Sequence, residues 1–315
     1  MNKIINELKK ATRIAIISHR NPDPDTLGSN FALRYVLEEL GKSVDSICID
    51  DNPYDFSPFA KNYEIKSVLD HNKYDLIISV DCGSTGQTVF LEENPNILEE
   101  SKVINIDHHA TNNNYGDINL VEPDTASTTI IIYHLLKEWG IKITAEIASY
   151  LLVGIYFDTG SFMHSNTDDT VYSVAGELVS SGAAQKKIIE ALYKKNTPEK
   201  FKLWGKVLSN MRITGDNIVV SGIKAQDLTD CNATSQDLSG IIDFLGTVKG
   251  NNFATLLTED GDGNIKGSLR TRRDDVNLSQ IAEKLGGGGH KKASGFSIKG
   301  NLKKVTHIKI QRNNS

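Results

Sequence analysis

Residues 13–41 read RIAIISHRNPDPDTLGSNFALRYVLEELG, and the fold turns on them. The segment 13–18, RIAIIS, is a short apolar run of the kind buried on both faces of a sheet. From 27 to 40 the spacing changes. Leu33, Val36, Leu37 and Leu40 follow the i, i+3, i+4, i+7 stripe of an amphipathic helix, and Gly41 stands where a C-cap belongs. Strands of the same type recur at 44–49, 74–81 (YDLIISVD) and 103–107 (VINID). Strands alternating with helices predict an α/β fold whose N-terminal part is a doubly wound, mostly parallel sheet.

Working outward, helical patterns follow at 125–139, 144–157, 168–181 and 185–194, and another at 198–211 bridges to what comes next. Strands are then expected at 218–223, 253–258, 265–271 and 293–298, with helices at 235–244 and 278–285. This is a smaller C-terminal α/β domain. The expected division is a catalytic domain over 1–185, a helical linker over 186–211 and a substrate-binding domain over 212–315, with the active-site cleft between the two domains.

A chain of 315 residues has room for two such domains. Its net charge of -5 is unevenly spread: residues 1–199 carry 17 Lys/Arg against 29 Asp/Glu, and residues 200–315 carry 18 against 11. An acidic half can hold cations, and a basic half can hold polyanions. The longest apolar stretches, near 129–136 and 148–157, fall short of a membrane span of about 20 residues. The N-terminus shows no secretory pattern. Three widely spaced cysteines, Cys48, Cys82 and Cys231, argue against a disulfide framework and a thiolate metal site. A cytoplasmic protein without membrane partners is expected. A homodimer stays an open alternative, for the sequence carries no mark of it.

The chemistry gathers at strand ends, where open α/β sheets bind ligands. The first strand leads into His19, Asp23 and Asp25, with Pro22 and Pro24 expected to keep the segment extended. Asp81 ends LIISVD; Asp107, His108 and His109 end VINIDHH; Asp158 follows SYLLVGIYF and precedes Thr159-Gly160. An ionised carboxylate beside so much apolar sequence is costly unless paired or bound to metal. Imidazole plus carboxylate without thiolate suits a hard or borderline divalent ion, manganese before zinc, cobalt or iron. Asp23, Asp25, Asp81 and Asp158 bring four negative charges, which two divalent ions balance. Two metals about 3.5–4 Å apart suit hydrolysis at phosphorus.

In order and spacing, His19-x3-Asp23-x-Asp25-x2-Gly28-Ser29, Asp81, Asp107-His108-His109 and Asp158-Thr159-Gly160 resemble the four motifs of the DHH phosphoesterase superfamily. Residues 267–272 (GSLRTR) and 286–295 (GGGGHKKASG) resemble its DHH-associated C-terminal domain. Over essentially the whole length the chain is similar to NrnA-type enzymes, which hydrolyse short oligoribonucleotides (nanoRNA) and pAp. The resemblance implies a two-manganese phosphodiesterase and phosphatase using a metal-activated hydroxide. It places His19, Asp23, Asp81 and Asp158 on one ion, and Asp25, Asp81, His108 and Asp158 on the other. Asp107 would orient the histidines behind them, and His109 would face the substrate phosphate. Asp81, His108, His109 and Asp158 form the implied catalytic set. One departure stands out: where many relatives carry a basic residue after Gly-Ser-Phe, here Met163-His164 follows Phe162.

The second half supplies the expected grip. Successive glycines, Gly287, Gly288 and Gly289 among them, let several N–H groups turn to one anion, and His290 adds a donor. Arg270 and Arg272 point to one side if their strand is regular, and their fork geometry suits phosphate. Other marks are weaker. EDGDGN at 259–264 begins like a calcium loop, but Ile265 stands where its glycine is needed, so a hairpin turn is expected. Ser84 and Ser161 lack a nucleophile elbow. Rival readings are a phosphodiesterase for c-di-AMP or linear pApA, and a non-catalytic nucleotide sensor.

Overall fold

The computed structural model describes residues 1–193, 197–289 and 291–303. The chain divides into two compact units, Met1–Lys195 and Asn196–Ser315.

The first unit contains helix α1 (Asn2–Lys10), strand β1 (Arg13–Ile17), α2 (Pro24–Glu39), β2 (Ser43–Ile47), β3 (Ile65–Lys66) and β4 (Leu76–Val80). Three one-turn helices follow, α3 (Thr85–Thr88), α4 (Phe90–Glu93) and α5 (Ile97–Glu100). Then come β5 (Val103–Asp107), β6 (Ile118–Val121), α6 (Thr128–Glu138), α7 (Ala145–Asp158), α8 (Asp169–Ser180) and α9 (Gln185–Tyr193). The six strands form one sheet in the order β3-β2-β1-β4-β5-β6, and every pairing is parallel. Strands β4 and β5 are buried along their full length, which is why they read as continuous apolar runs. The strand order reverses between β1 and β4, and that switch point is where a doubly wound sheet opens a crevice at its carboxyl edge.

The Pro-rich segment after β1 is extended at Asp23 (φ -106°, ψ 177°) but not beyond it, contrary to the expectation. Helix α2 already begins at Pro24, and Asp23 is its N-cap, its Oδ1 accepting from the N–H groups of Asp25 and Thr26 at 2.9 and 3.1 Å. Proline at the first helical position is pre-set for the helix and lacks only an N–H that would be orphaned anyway. Helix α2 then lies against α7 so closely that a Cβ on Gly28 would stand 2.4 Å from the Tyr150 carbonyl oxygen. Phe31, Phe56 and Tyr150 fill the core beside that crossing.

The second unit holds α10 (Pro198–Asn210), β7 (Arg212–Ile213), β8 (Ile218–Ile223), α11 (Ala225–Cys231), α12 (Ile241–Leu245), β9 (Phe253–Glu259), β10 (Asn264–Arg270), α13 (Leu278–Glu283), β11 (Gly288–Gly289) and β12 (Ala293–Lys299). Its mixed sheet runs β11-β12-β10-β9-β8-β7. Of the stretch 186–211, expected as a linker, α9 lies in the first unit. Helix α10 lies in the second, its Leu203 and Val207 buried in that unit's core. The helix expected at 235–244 is two pieces, a 3-10 turn at Ser235–Leu238 and α12, separated by Gly240 at φ +88° against the Trp204 ring. EDGDGN is a hairpin turn between β9 and β10, with Asp260 Oδ1 accepting from the N–H groups of Asp262 and Asn264.

Candidate metal centre

Each predicted carboxylate or imidazole ligand sits at the carboxyl edge of the first sheet or beside it. His19 follows β1, Asp81 follows β4, Asp107 ends β5, and Asp158 ends α7. Three overlapping groups bring their ligand atoms within 4.8 Å of one another: His19, Asp23 and Asp81; Asp25, His108 and Asp158; Asp81, His108 and His109. Asp81 belongs to two of them. The first two groups share no residue, and each could hold a metal ion.

The imidazoles are oriented for this. His19 Nδ1 donates to the Arg20 carbonyl at 2.7 Å, and His108 Nδ1 donates to the Thr125 carbonyl at 3.1 Å. Both rings therefore turn Nε2 to the carboxylates, as metal-ligating histidines do. His19 Nε2 stands 3.5 Å from Asp81 Oδ2 and 3.6 Å from Asp23 Oδ2. His108 Nε2 stands 3.3 Å from Asp158 Oδ2 and 3.6 Å from Asp81 Oδ1. These separations are long for charged hydrogen bonds. They are close to the ligand–ligand edge around an ion with bonds of about 2.1 Å, which runs from about 3.0 Å (octahedral) to about 3.4 Å (tetrahedral). The donors thus fit divalent cations.

Asp107 needs a correction. It serves His109 alone of the two histidines: its Oδ1 accepts from His109 Nδ1 at 2.7 Å, while His108 rests on the Thr125 carbonyl. Burial alone would raise Asp107, but His109 and Asn112 hold it below the usual carboxylate range. In return, and against its own burial, His109 is raised to about 9 by Asp107 and Asp81.

The electrostatics of the protein groups alone are unfavourable. Burial and the nearby Asp81 push Asp25 up to about 7. Burial, then Asp25, Asp23 and Asp81, push Asp158 well above the carboxylate range. Burial would lower His19, but Asp23 and Asp81 outweigh it and raise the imidazole to about 11. Crowded buried carboxylates of this kind need positive charge among them.

Two threonines and an asparagine that the motifs do not include hold these carboxylates. The first N–H groups of α6 point at Asp25, whose Oδ2 accepts from Thr128 N at 2.7 Å and whose Oδ1 accepts from Thr129 N at 3.1 Å and Thr129 Oγ1 at 2.8 Å. Thr128 Oγ1 donates to Asp81 Oδ1 at 2.9 Å. The signal was the Ser127-Thr128-Thr129 run ahead of an apolar helix, which marks a helix start. Asn112 Nδ2 donates to Asp107 Oδ2 at 2.6 Å. Asp81 itself has φ +59°, a strained conformation for a non-glycine residue. Gly154 makes the crowding possible: a Cβ there would stand 2.4 Å from Asp25 Oδ1. After Asp158 the chain turns sharply, with Gly160, Ser161 and Phe162 all at positive φ. His164 Nδ1 donates back to the Asp158 carbonyl at 3.0 Å, and Met163 is 66% exposed. Cys48, Cys82 and Cys231 are buried free thiols.

The expected substrate residues lie in the second unit. Arg270 ends β10 and is ion-paired through Nε to Asp243 Oδ1. The strand stops there, so the alternation that would place Arg272 beside it does not reach; Arg272 is exposed on the following loop. The glycine run is shaped by its own packing. Gly286 has φ +76° after α13, and β11 pairs with β12, Gly288 opposite Gly295 and Gly289 opposite Ser294. His290 lies outside the described residues.

Residues 13–155 match the DHH family, N-terminal domain, and residues 215–311 match the DHHA1 domain. A Thermus thermophilus protein named bifunctional oligoribonuclease and PAP phosphatase NrnA is 32% identical over 301 residues, which cover 95% of this chain and 88% of that one. The chain belongs to the DHH family. A Bacillus subtilis relative of the same name is 27% identical over 301 residues, covering 94% of this DHH chain and 92% of its own. The crystal structure of an exopolyphosphatase-related protein from Bacteroides fragilis superposes with a TM-score of 0.85 at 25% identity, covering 96% of this chain and 91% of that one. The DHH domain and DHHA1 domain thus correspond to the parallel-sheet unit and the mixed-sheet unit. No helix among the described residues is long and apolar enough to cross a membrane.

Proposed function

We propose that this DHH-family member, a hydrolase of phosphoester bonds, acts on short oligoribonucleotides and on pAp with two divalent cations, manganese by preference. The observation that carries the reading is the pair of adjacent ligand groups, His19/Asp23/Asp81 and Asp25/His108/Asp158. The names of its relatives support the substrate class. Bound cations would supply Lewis acidity at the phosphoryl oxygens and a water of lowered pKa.

The protein's own part is to hold those ligands and the substrate. Asp81 and Asp158 complete both ligand sets. The N–H groups at the start of α6 fix the Asp25 carboxylate so that both its oxygens are oriented. His109, held through Nδ1 by Asp107 and raised to about 9, presents a protonated ring suited to a phosphoryl oxygen. In the second unit Arg270, with Arg272 near it in sequence, and the glycine run with Gly287, Gly288, Gly289 and His290 would bind the nucleotide. The fork of Arg270 is oriented by Asp243.

The test is a comparison of rates on pAp, linear pApA, c-di-AMP and RNAs of two to five nucleotides, with manganese, magnesium or chelator. Hydrolysis of pAp and the short RNAs with manganese, and none with chelator, is expected. A strong preference for the cyclic dinucleotide would overturn the substrate assignment, and nucleotide binding without turnover would overturn the enzyme.

A further inference from the structure

Behind the candidate ligands lies a polar layer that converges on Asn112. Its Nδ2 donates to Asp107 Oδ2 at 2.6 Å and to the Cys82 carbonyl at 3.1 Å. Its Oδ1 accepts from Asn105 Nδ2 at 2.9 Å and from the Asn114 N–H at 2.7 Å. A side-chain amide has two N–H bonds and an oxygen with two lone pairs, so its whole capacity is used. The partners also fix which way round it sits. Turned over, its oxygen would face a carboxylate and a carbonyl, and both can only accept.

Each of its two donor bonds ends on the site. Asp107 is fully buried, and its other oxygen holds His109. The Cys82 carbonyl belongs to the Cys82–Gly83 peptide, one residue beyond Asp81, whose φ is +59°. That carbonyl also accepts from the Tyr115 hydroxyl at 3.1 Å, and Tyr115 in turn contacts Ser79 Oγ at 2.7 Å. A strained backbone persists only where its surroundings over-determine it. The Asp81 N–H bond to the Ile106 carbonyl, at 2.9 Å, and the clasp on Cys82 meet that need.

An asparagine that only closed its own loop would spend its bonds there, but the loop has another staple. Asn119 accepts from the Gly116 N–H at 3.0 Å and donates to the carbonyls of Gly116 and Asn114 at 2.7 and 3.2 Å. That leaves both Asn112 N–H bonds for the site.

We propose that Asn112 is a positioning residue: it ties the His109–Asp107 pair to the backbone that carries Asp81, so that the imidazole and the shared carboxylate keep one spacing. The proposal rests on the phosphoester-hydrolase reading for its kinetic consequence, while its structural consequence is measurable without turnover.

The test uses the full chain with Asn112→Asp and Asn112→Ala. The first keeps the size and the accepting oxygen but sets a carboxylate against Asp107; the second leaves Asp107 Oδ2 without its donor. Both should fold by circular dichroism. In both, kcat on pAp should fall roughly 10–100-fold, the usual cost of removing an outer positioning partner, with KM little changed. Asp107→Asn added to Asn112→Asp reverses donor and acceptor and should restore part of the lost kcat. Nitrogen-15 spectra of the metal-free protein should show the His109 Nδ1–H signal displaced in both single variants, and calorimetry should show weaker manganese binding. Folded variants with kcat within about threefold of the parent and an unmoved His109 signal would overturn the proposal. So would failure of both to fold, since that marks a structural residue. A parent protein that hydrolyses none of the phosphoesters would instead refute the functional reading, and the spectra and calorimetry would still decide the role of Asn112.

Discussion

The carboxylate cluster of the first unit and the glycine run of the second both carry sequence marks of ligand binding, yet they differ in what else explains them. In the cluster, the fold alone gives no reason to bring Asp25, Asp81 and Asp158 together, and burial together with their mutual repulsion raises Asp25 and Asp158. In the glycine run, the fold itself needs three of the four residues. Gly286 has φ +76°, a Cβ on Gly287 would stand 2.0 Å from the Gly295 carbonyl oxygen, and one on Gly289 would stand 2.7 Å from the Ala293 carbonyl oxygen. Gly288 alone of the four is neither crowded nor held at positive φ. Residues that destabilise the protein by themselves point to a ligand more sharply than residues the chain's own packing already requires.

Asp81→Ala should reduce hydrolysis by at least about 10³-fold, because cation assistance is worth several kcal/mol of transition-state stabilisation. The fold should persist by circular dichroism, and retained activity would remove the cluster from the chemistry. Gly154→Ala and Gly287→Ala sharpen the contrast. Each should cost about 1–3 kcal/mol in denaturant unfolding, as overpacked sites do. Only Gly154→Ala should also weaken cation binding, since its Cβ would press on Asp25 Oδ1.

Gly288→Ala should leave stability within about 0.5 kcal/mol, and any effect should appear in KM. Arg270→Ala should raise KM for pAp about tenfold through loss of a charge-assisted contact, and Arg272→Ala should do less. Equal effects from the two arginines would restore the shared strand face that the end of β10 denies.

The smallest expected effect is the dependence on pH. Asp25 is raised, so its contribution to stability is present at low pH and lost as pH rises through about 7. His19 is also raised, to about 11, so its contribution is full below the ordinary imidazole value and lost as pH rises through the folded value. In both cases a proton occupies a group that a cation needs free. Manganese should therefore raise the melting temperature more near pH 8 than near pH 5, and an equal shift at both would contradict the assigned ligands.

What was legible in the sequence follows the same division. The strand at 103–107 and the strand at 218–223 match β5 and β8, because burial writes itself into continuous or alternating apolar residues. The metal-ligand candidates were legible because carboxylates and imidazoles at apolar strand ends have few other uses. The start of α2 was not, since Pro22 and Pro24 suggest extension until Asp23 is seen as a cap. Helix α1 buries Ile4, Ile5 and Leu8, but its nine residues are too short for the stripe to stand out from the sequence alone. Thr128, Thr129 and Asn112 were hidden for another reason. Their partners Asp25 and Cys82 are remote in sequence, and hydrogen bonds across such distances leave no periodicity.

On the proposed reading, Asp81 and Asp158 are shared between two cation positions, and Asp81 stands in two of the ligand groups. Calorimetric titration of the metal-free chain with manganese tests it directly, run beside Asp81→Ala. Two ions per parent chain, and loss or strong weakening of both in the variant, is the predicted result. A single ion per parent chain, or two that bind the variant unchanged, would contradict it.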